Sequence, residues 1–98
     1  MNRALILGPE AEAEIAEASD WYDRRSPGLG AEFVGAVDVT LAAIRQNPFQ
    51  YQAVWGQFRR AGLRRFPYSL IYIVLDWQIT VVSCFHSRRK PKVWRERT

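Results

Sequence analysis

The segment Ser26-Pro27-Gly28-Leu29-Gly30 constrains this chain more than any other. It separates two stretches whose apolar residues recur at helical spacing: Ala11, Ile15, Ala18 and Tyr22 before it, and Phe33, Val37, Leu41 and Ile44 after it. Helices joined by so short a turn pack side by side and antiparallel, so the chain is expected to contain a helix hairpin. Pro9 suits the first position of the leading helix, and Glu10, Glu12, Glu14 and Glu17 load its early turns, where carboxylates meet the positive end of the helix dipole. Arg24-Arg25 marks its end, and Asn47-Pro48 stops the second helix.

Ahead of the hairpin, Arg3 to Leu7 is a short apolar run closed by Gly8-Pro9, which reads as a strand. Behind it the apolar period shortens toward two in three runs, Phe58 to Phe66, Tyr68 to Asp76 and Ile79 to His86. With Asp76-Trp77-Gln78 as a hairpin turn, these runs are expected to form a meander. Leu70-Ile71-Tyr72-Ile73-Val74-Leu75 is apolar on both faces, which suits a central strand covered by the helices on one side and shielded on the other. The order β-α-α-β-β-β therefore predicts an α+β fold, with a two-helix antiparallel hairpin packed on a small, mostly antiparallel sheet. A chain of 98 residues has room for one such core, so residues 1–98 are expected to be a single domain ending in a basic tail anchored only by Val93 and Trp94.

Charge divides the chain in two. Residues 1–49 carry four basic and eight acidic side chains, a net charge of −4, whereas residues 50–98 carry ten basic and two acidic ones, a net charge of +8. A segregated basic half calls for a polyanionic partner, nucleic acid or an acidic protein segment. Cys84 is the lone cysteine and His86 the lone histidine, so an internal disulfide and a zinc site of the usual kind are excluded, and neither metal nor cofactor is expected. The longest apolar run is too short to span a bilayer, so the expectation is a cytoplasmic protein with no membrane partner.

The arginines cluster on the run Phe58-Arg59-Arg60-Ala61-Gly62-Leu63-Arg64-Arg65-Phe66. Strand alternation places Arg60 and Arg64 on one face and Arg59 and Arg65 on the other; with Ala61 and Leu63 toward the core, Arg60 and Arg64 are expected on the open face, where guanidinium forks hold phosphate or carboxylate. His86 ends the last run, on the face expected to hold Thr80, Val82 and Cys84, and is followed by Arg88 and Arg89. Such a histidine can serve as a general base. Cys84 reads as a small core residue. Glu10, Glu14 and Glu17 are expected in solvated turns, with no second carboxylate cluster to support a two-carboxylate or two-metal mechanism.

Glu14-Ile15-Ala16-Glu17-Ala18 with Trp21-Tyr22, Pro27-Gly28-Leu29-Gly30 with Phe33, Ile44 with Asn47-Pro48, Leu63-Arg64-Arg65-Phe66-Pro67-Tyr68-Ser69-Leu70-Ile71-Tyr72 and Phe85-His86-Ser87-Arg88-Arg89 together resemble the RelE/ParE superfamily of toxins from bacterial type II toxin–antitoxin modules. The resemblance covers nearly the whole chain. It implies a small toxin held in a heteromeric complex by a cognate antitoxin that occupies its basic surface, with Arg59, Arg60, Arg65, Arg89 and Trp94 as antitoxin-binding or target-binding residues. The Trp21-Tyr22 hairpin and the Phe85-to-Arg89 ending look closer to the ParE branch, which implies poisoning of DNA gyrase. The RelE branch implies instead a ribosome-dependent messenger RNA endonuclease, with Arg64, His86 and Arg88 as catalytic residues. Ser69 stands where many endonuclease members carry arginine, and Trp94, near where others carry tyrosine, has no hydroxyl. A third reading is a non-toxic nucleic-acid-binding module using the arginines and Trp94 for backbone and stacking contacts.

Overall fold

A computed structural model describes residues 3–88 and 92–95. Its elements are β1 (Ala4–Leu7), α1 (Pro9–Arg25), α2 (Leu29–Gln46), β2 (Ala53–Trp55), β3 (Phe58–Gly62), β4 (Tyr68–Val74), β5 (Gln78–His86) and α3 (Lys92–Arg95). This is the expected α+β arrangement, a helix hairpin on a five-stranded sheet of order β1-β5-β4-β3-β2. Parallel pairing joins β1 to β5 across the hairpin, and every other pairing is antiparallel. Among the described residues no helix is long and apolar enough to cross a membrane.

Two glycines make the hairpin possible. Gly28 precedes α2 in the left-handed region at φ 90°, which side chains rarely adopt. Gly30 lies where α2 crosses α1: a Cβ there would stand 2.5 Å from the Ser19 carbonyl oxygen and 2.7 Å from the Asp23 carboxylate. In its place the Gly30 amide donates a 2.7 Å hydrogen bond to Asp23 Oδ1. The close crossing brings Tyr22 of α1 into stacked contact with Phe33 of α2, and Phe66 and Tyr68 close the cluster edge-on.

Below the helices lies the main core, built from Ala11, Ala18, Phe33, Val37 and Ile44 of the hairpin and Ala61, Leu70, Tyr72, Ile79, Val81 and Cys84 of the sheet. Burying a side chain such as Phe33 contributes roughly 1.5–3 kcal/mol. The Tyr72 hydroxyl donates to the Pro48 carbonyl at 2.7 Å, which satisfies the polar atom that the buried ring carries into the core. On the opposite face, Phe58, Ile71 and Phe85 are covered by Trp94 of α3. The central strand is thus shielded on both faces, as its composition requires.

Three features depart from the sequence reading. The run expected as a strand from Phe58 to Phe66 ends at Gly62; after the Leu63 amide bonds the Tyr68 carbonyl, the chain bends through residues 64–67, with Arg65 at φ 70°. The sheet also gains β2, an exposed edge strand of three residues too short to show a period. Finally, β5 carries an extra residue: Tyr72 pairs with Val81 but Ile71 with Ser83, leaving Val82 as a bulge. A bulge reverses the alternation beyond it, so Cys84 shares the helix-facing side with Ile79 and Val81 rather than with Thr80 and Val82. His86, two residues on, follows Cys84.

Replacing Gly30 with alanine should lower the stability of the fold by about 1–3 kcal/mol, because the added methyl must push α2 off backbone atoms of α1. An unchanged urea midpoint for Gly30→Ala would show that the crossing tolerates it. Burial, helped by the Glu14 carboxylate, pushes the Cys84 thiol from 9.0 up to about 12. Burial likewise pushes Tyr72 from 10.0 to about 12, a rise that Arg59 opposes and Tyr51 adds to. Both groups lose their protons earlier in the unfolded chain, so their stabilising contribution is complete below about 9 and is lost as pH rises through about 12. Urea titrations across that range should show the fall. Cys84→Ala should move its onset toward 10, where Tyr72 alone governs.

Candidate interaction surfaces

The arginines expected to act together are dispersed by the end of β3. Arg59 is half-buried on the helix-facing side, where it donates to the Tyr51 carbonyl at 2.6 Å and lies over the Phe49 ring. It fastens the segment between α2 and β2. Arg60 is exposed on the other face and donates through Nε to Ser69 Oγ at 2.8 Å. Ser69, noted from the sequence as standing in place of an arginine, is thus the acceptor that orients Arg60. Arg64 is exposed in the bend at 64–67, outside the alternation that was to place it beside Arg60. Arg65 reaches the helices and pairs with Glu32 of α2 at 2.8 Å, an exposed ion pair of small energetic weight. Arg89 lies outside the described residues.

Around Arg60 the open face forms a small pocket with Val54, Ile71, Phe85, Trp94 and Arg95. Trp94 is 2% exposed, and its buried indole Nε1 has no hydrogen-bond partner among the described residues. Phe58, Trp55 and Phe85 surround it. The residue read as a contact for partners therefore serves here as the cover of the open face.

The larger concavity lies on the other side of the sheet, along the flank of α1, with a volume of about 730 Å³. His86 and Arg88 come together in it, but Arg64 is not among its lining residues. The His86 ring meets Tyr68 edge-on at 4.9 Å, and its Nδ1 accepts the Arg88 amide at 3.0 Å. A neutral ring with Nδ1 so engaged carries its proton on Nε2, so the nitrogen left for a ligand is a donor. Trp21 stands at the rim, stacked with the Arg25 guanidinium at 4.3 Å, and Tyr22, Tyr68 and Cys84 also line the groove. Buried and holding its proton, Cys84 is unsuited to nucleophilic attack.

Along α1 the groove wall reads Glu14, Glu17, Asp20 and then Arg24. Sequence reasoning placed the glutamates in solvated turns. Glu14 instead leans onto β5, where its Oε1 accepts the Ser83 hydroxyl at 3.0 Å and the Cys84 amide at 3.1 Å. The signal that distinguishes it is its place on α1, one turn before Ala18 and two before Tyr22, the stripe that meets the sheet. Glu14→Ala should cost about 1–3 kcal/mol in urea denaturation, because it strips the acceptor from two β5 donors, and Glu14→Gln should recover part of that loss. Full stability of the alanine variant would contradict this bracing role.

The fold agrees with comparison to known proteins. Residues 5–91 match the family model described as the ParE toxin of the type II toxin–antitoxin system, parDE. A solved structure titled as the chromosomal ParDE TA system from P. aeruginosa superposes with a TM-score of 0.77 at 18% identity, covering 86% of this chain and 95% of that one, which establishes the shared fold. No curated protein matches the chain. With almost its whole length accounted for by that model, the chain belongs to the ParE toxin family of type II toxin–antitoxin systems.

Proposed function

We propose that this protein acts in the cytoplasm as a growth-arresting toxin that poisons DNA gyrase and is neutralised by a cognate antitoxin bound to it. Membership of the ParE toxin family carries the reading. The geometry supports it in a second way. Of the residues that the endonuclease reading names, His86 and Arg88 line the groove and Arg64 does not, and the Nδ1 of His86 accepts the Arg88 amide. Partnership with an antitoxin fits the ParDE system of the structural neighbour and the concentration of positive charge in the second half of the chain.

A second reading, a ribosome-dependent messenger RNA endonuclease, draws on the adjacency of His86 and Arg88 in one groove. The two make opposite predictions. When the chain is induced without an antitoxin, pulse labelling should show DNA synthesis falling before protein synthesis, and purified gyrase with supercoiled plasmid should accumulate cleaved DNA when the chain is added. His86→Gln and Arg64→Ala should each retain toxicity. Early loss of protein synthesis, with toxicity abolished by either substitution, would establish the endonuclease in its place.

A further inference from the structure

The open face of the sheet holds a second site, on the side away from the groove. Strand register builds it. Arg60 of β3 stands directly across from Ile71 of β4, and Ser69, two residues earlier on that strand and on the same face, stands across from Phe85 of β5. Arg60, Ile71 and Phe85, with Val54 of β2 and Trp94 and Arg95 of α3, line a cavity of about 230 Å³.

Its walls are apolar and its charge is positive. Ile71, Phe85 and Trp94 are buried, and no acidic side chain lines the cavity among the described residues. Arg60 is oriented in advance: its Nε donates to Oγ of the buried Ser69 at 2.8 Å, and its terminal nitrogens have no acceptor among the described residues. Arg95 brings a second guanidinium, kept beside the indole rings of Trp55 and Trp94 by contacts at 5.2 and 5.7 Å. Trp94 adds a donor, since its buried Nε1 has no partner among the described residues.

These features select a ligand. The volume falls below the roughly 300–1,000 Å³ of sites for cofactors and drug-sized molecules, and suits a group the size of one side chain. A bare phosphate or acetate would leave the apolar walls unfilled, and a plain hydrocarbon would leave the Arg60 guanidinium unmatched. We propose that the cavity binds a carboxylate carried on a compact apolar group, either a free branched-chain acid or the last residue of a peptide that ends in a residue such as leucine. The apolar part fills the space against Ile71 and Phe85. The carboxylate takes both terminal nitrogens of Arg60 in a bidentate pair, and the indole of Trp94 turns its N–H toward the same oxygens. The site goes beyond the toxin reading and does not depend on which target the toxin attacks.

The test is a titration of the isotope-labelled full chain with isocaproate, read on the side-chain N–H signals of Arg60 and Trp94. Both signals should move and saturate with a dissociation constant of about 1 mM, ordinary for so few atoms. Isohexanol lacks the charge and acetate lacks the apolar part, so each should bind at least about tenfold more weakly. Arg60→Gln should weaken isocaproate binding by about tenfold and leave isohexanol unchanged, which separates loss of the anion's partner from a disturbed cavity. Acetyl-glycyl-leucine and its C-terminal amide identify the source. Binding of the acid but not the amide, as tight as isocaproate or tighter, assigns the site to a peptide terminus, and weaker binding of the peptide assigns it to a free acid. Equal binding of isocaproate and isohexanol, or an Arg60→Gln variant that binds isocaproate as the parent does, overturns the proposal. A titration in which neither signal saturates overturns it too.

Discussion

The close crossing of the two helices at Gly30 governs the rest of the molecule. Because α2 approaches the backbone of α1 at Ser19 and Asp23, the two helices sit on the sheet as one rigid layer. That layer seats the Tyr22, Phe33, Phe66 and Tyr68 rings over β4 and holds the flank of α1 against β5. The depth of the groove beside His86 is thus set by a contact between residues that line neither His86 nor the sheet.

The sheet then assigns different work to its two faces. The helix-facing side holds the main core and spends Arg59 on fastening the chain between α2 and β2. The opposite side is only partly covered, by Trp94 over Phe58, Ile71 and Phe85, with Arg60 at its border. Burial of an indole N–H that has no partner among the described residues works against that cover. Positive charge in the second half of the chain is consequently distributed among structural, paired and exposed roles. Arg65 answers Glu32, Arg59 answers backbone carbonyls, and Arg60, Arg64 and Arg88 remain exposed on the surface.

Periodicity made the helices and the order of the strands legible, because the apolar spacing of Ala11 to Tyr22 and of Phe33 to Ile44 has no competing reading as a strand. The central strand was equally clear, since Leu70 to Leu75 is apolar on both sides. What the pattern hid were interruptions of one or two residues. A bulge at Val82 leaves no mark in a run of strand-forming residues, yet it moves Cys84 and His86 to the other side of the sheet relative to Thr80. The bend that ends β3 lies in a basic run whose alternation looks intact through Arg64 and Arg65, and only the left-handed Arg65 shows where the strand has already stopped. Residue types at the site were visible, then, while the faces they occupy depended on backbone events that composition does not record.

The brevity of β1 links the local and global arguments. Gly8-Pro9 ends the strand because proline cannot donate to a ladder and presets the first turn of α1, so the position of that dipeptide fixes where β1 stops pairing with β5. Exposed strand edges are ordinarily blunted by charge, and here the blunting group is Glu14, a carboxylate delivered by the helix that the same dipeptide initiates. One short sequence thus both opens an edge and places its guard. A carboxylate held by two hydrogen bonds can be exchanged for a peptide carbonyl without stranding the Cys84 amide, whereas an apolar cover would have left that amide unsatisfied in the unbound protein.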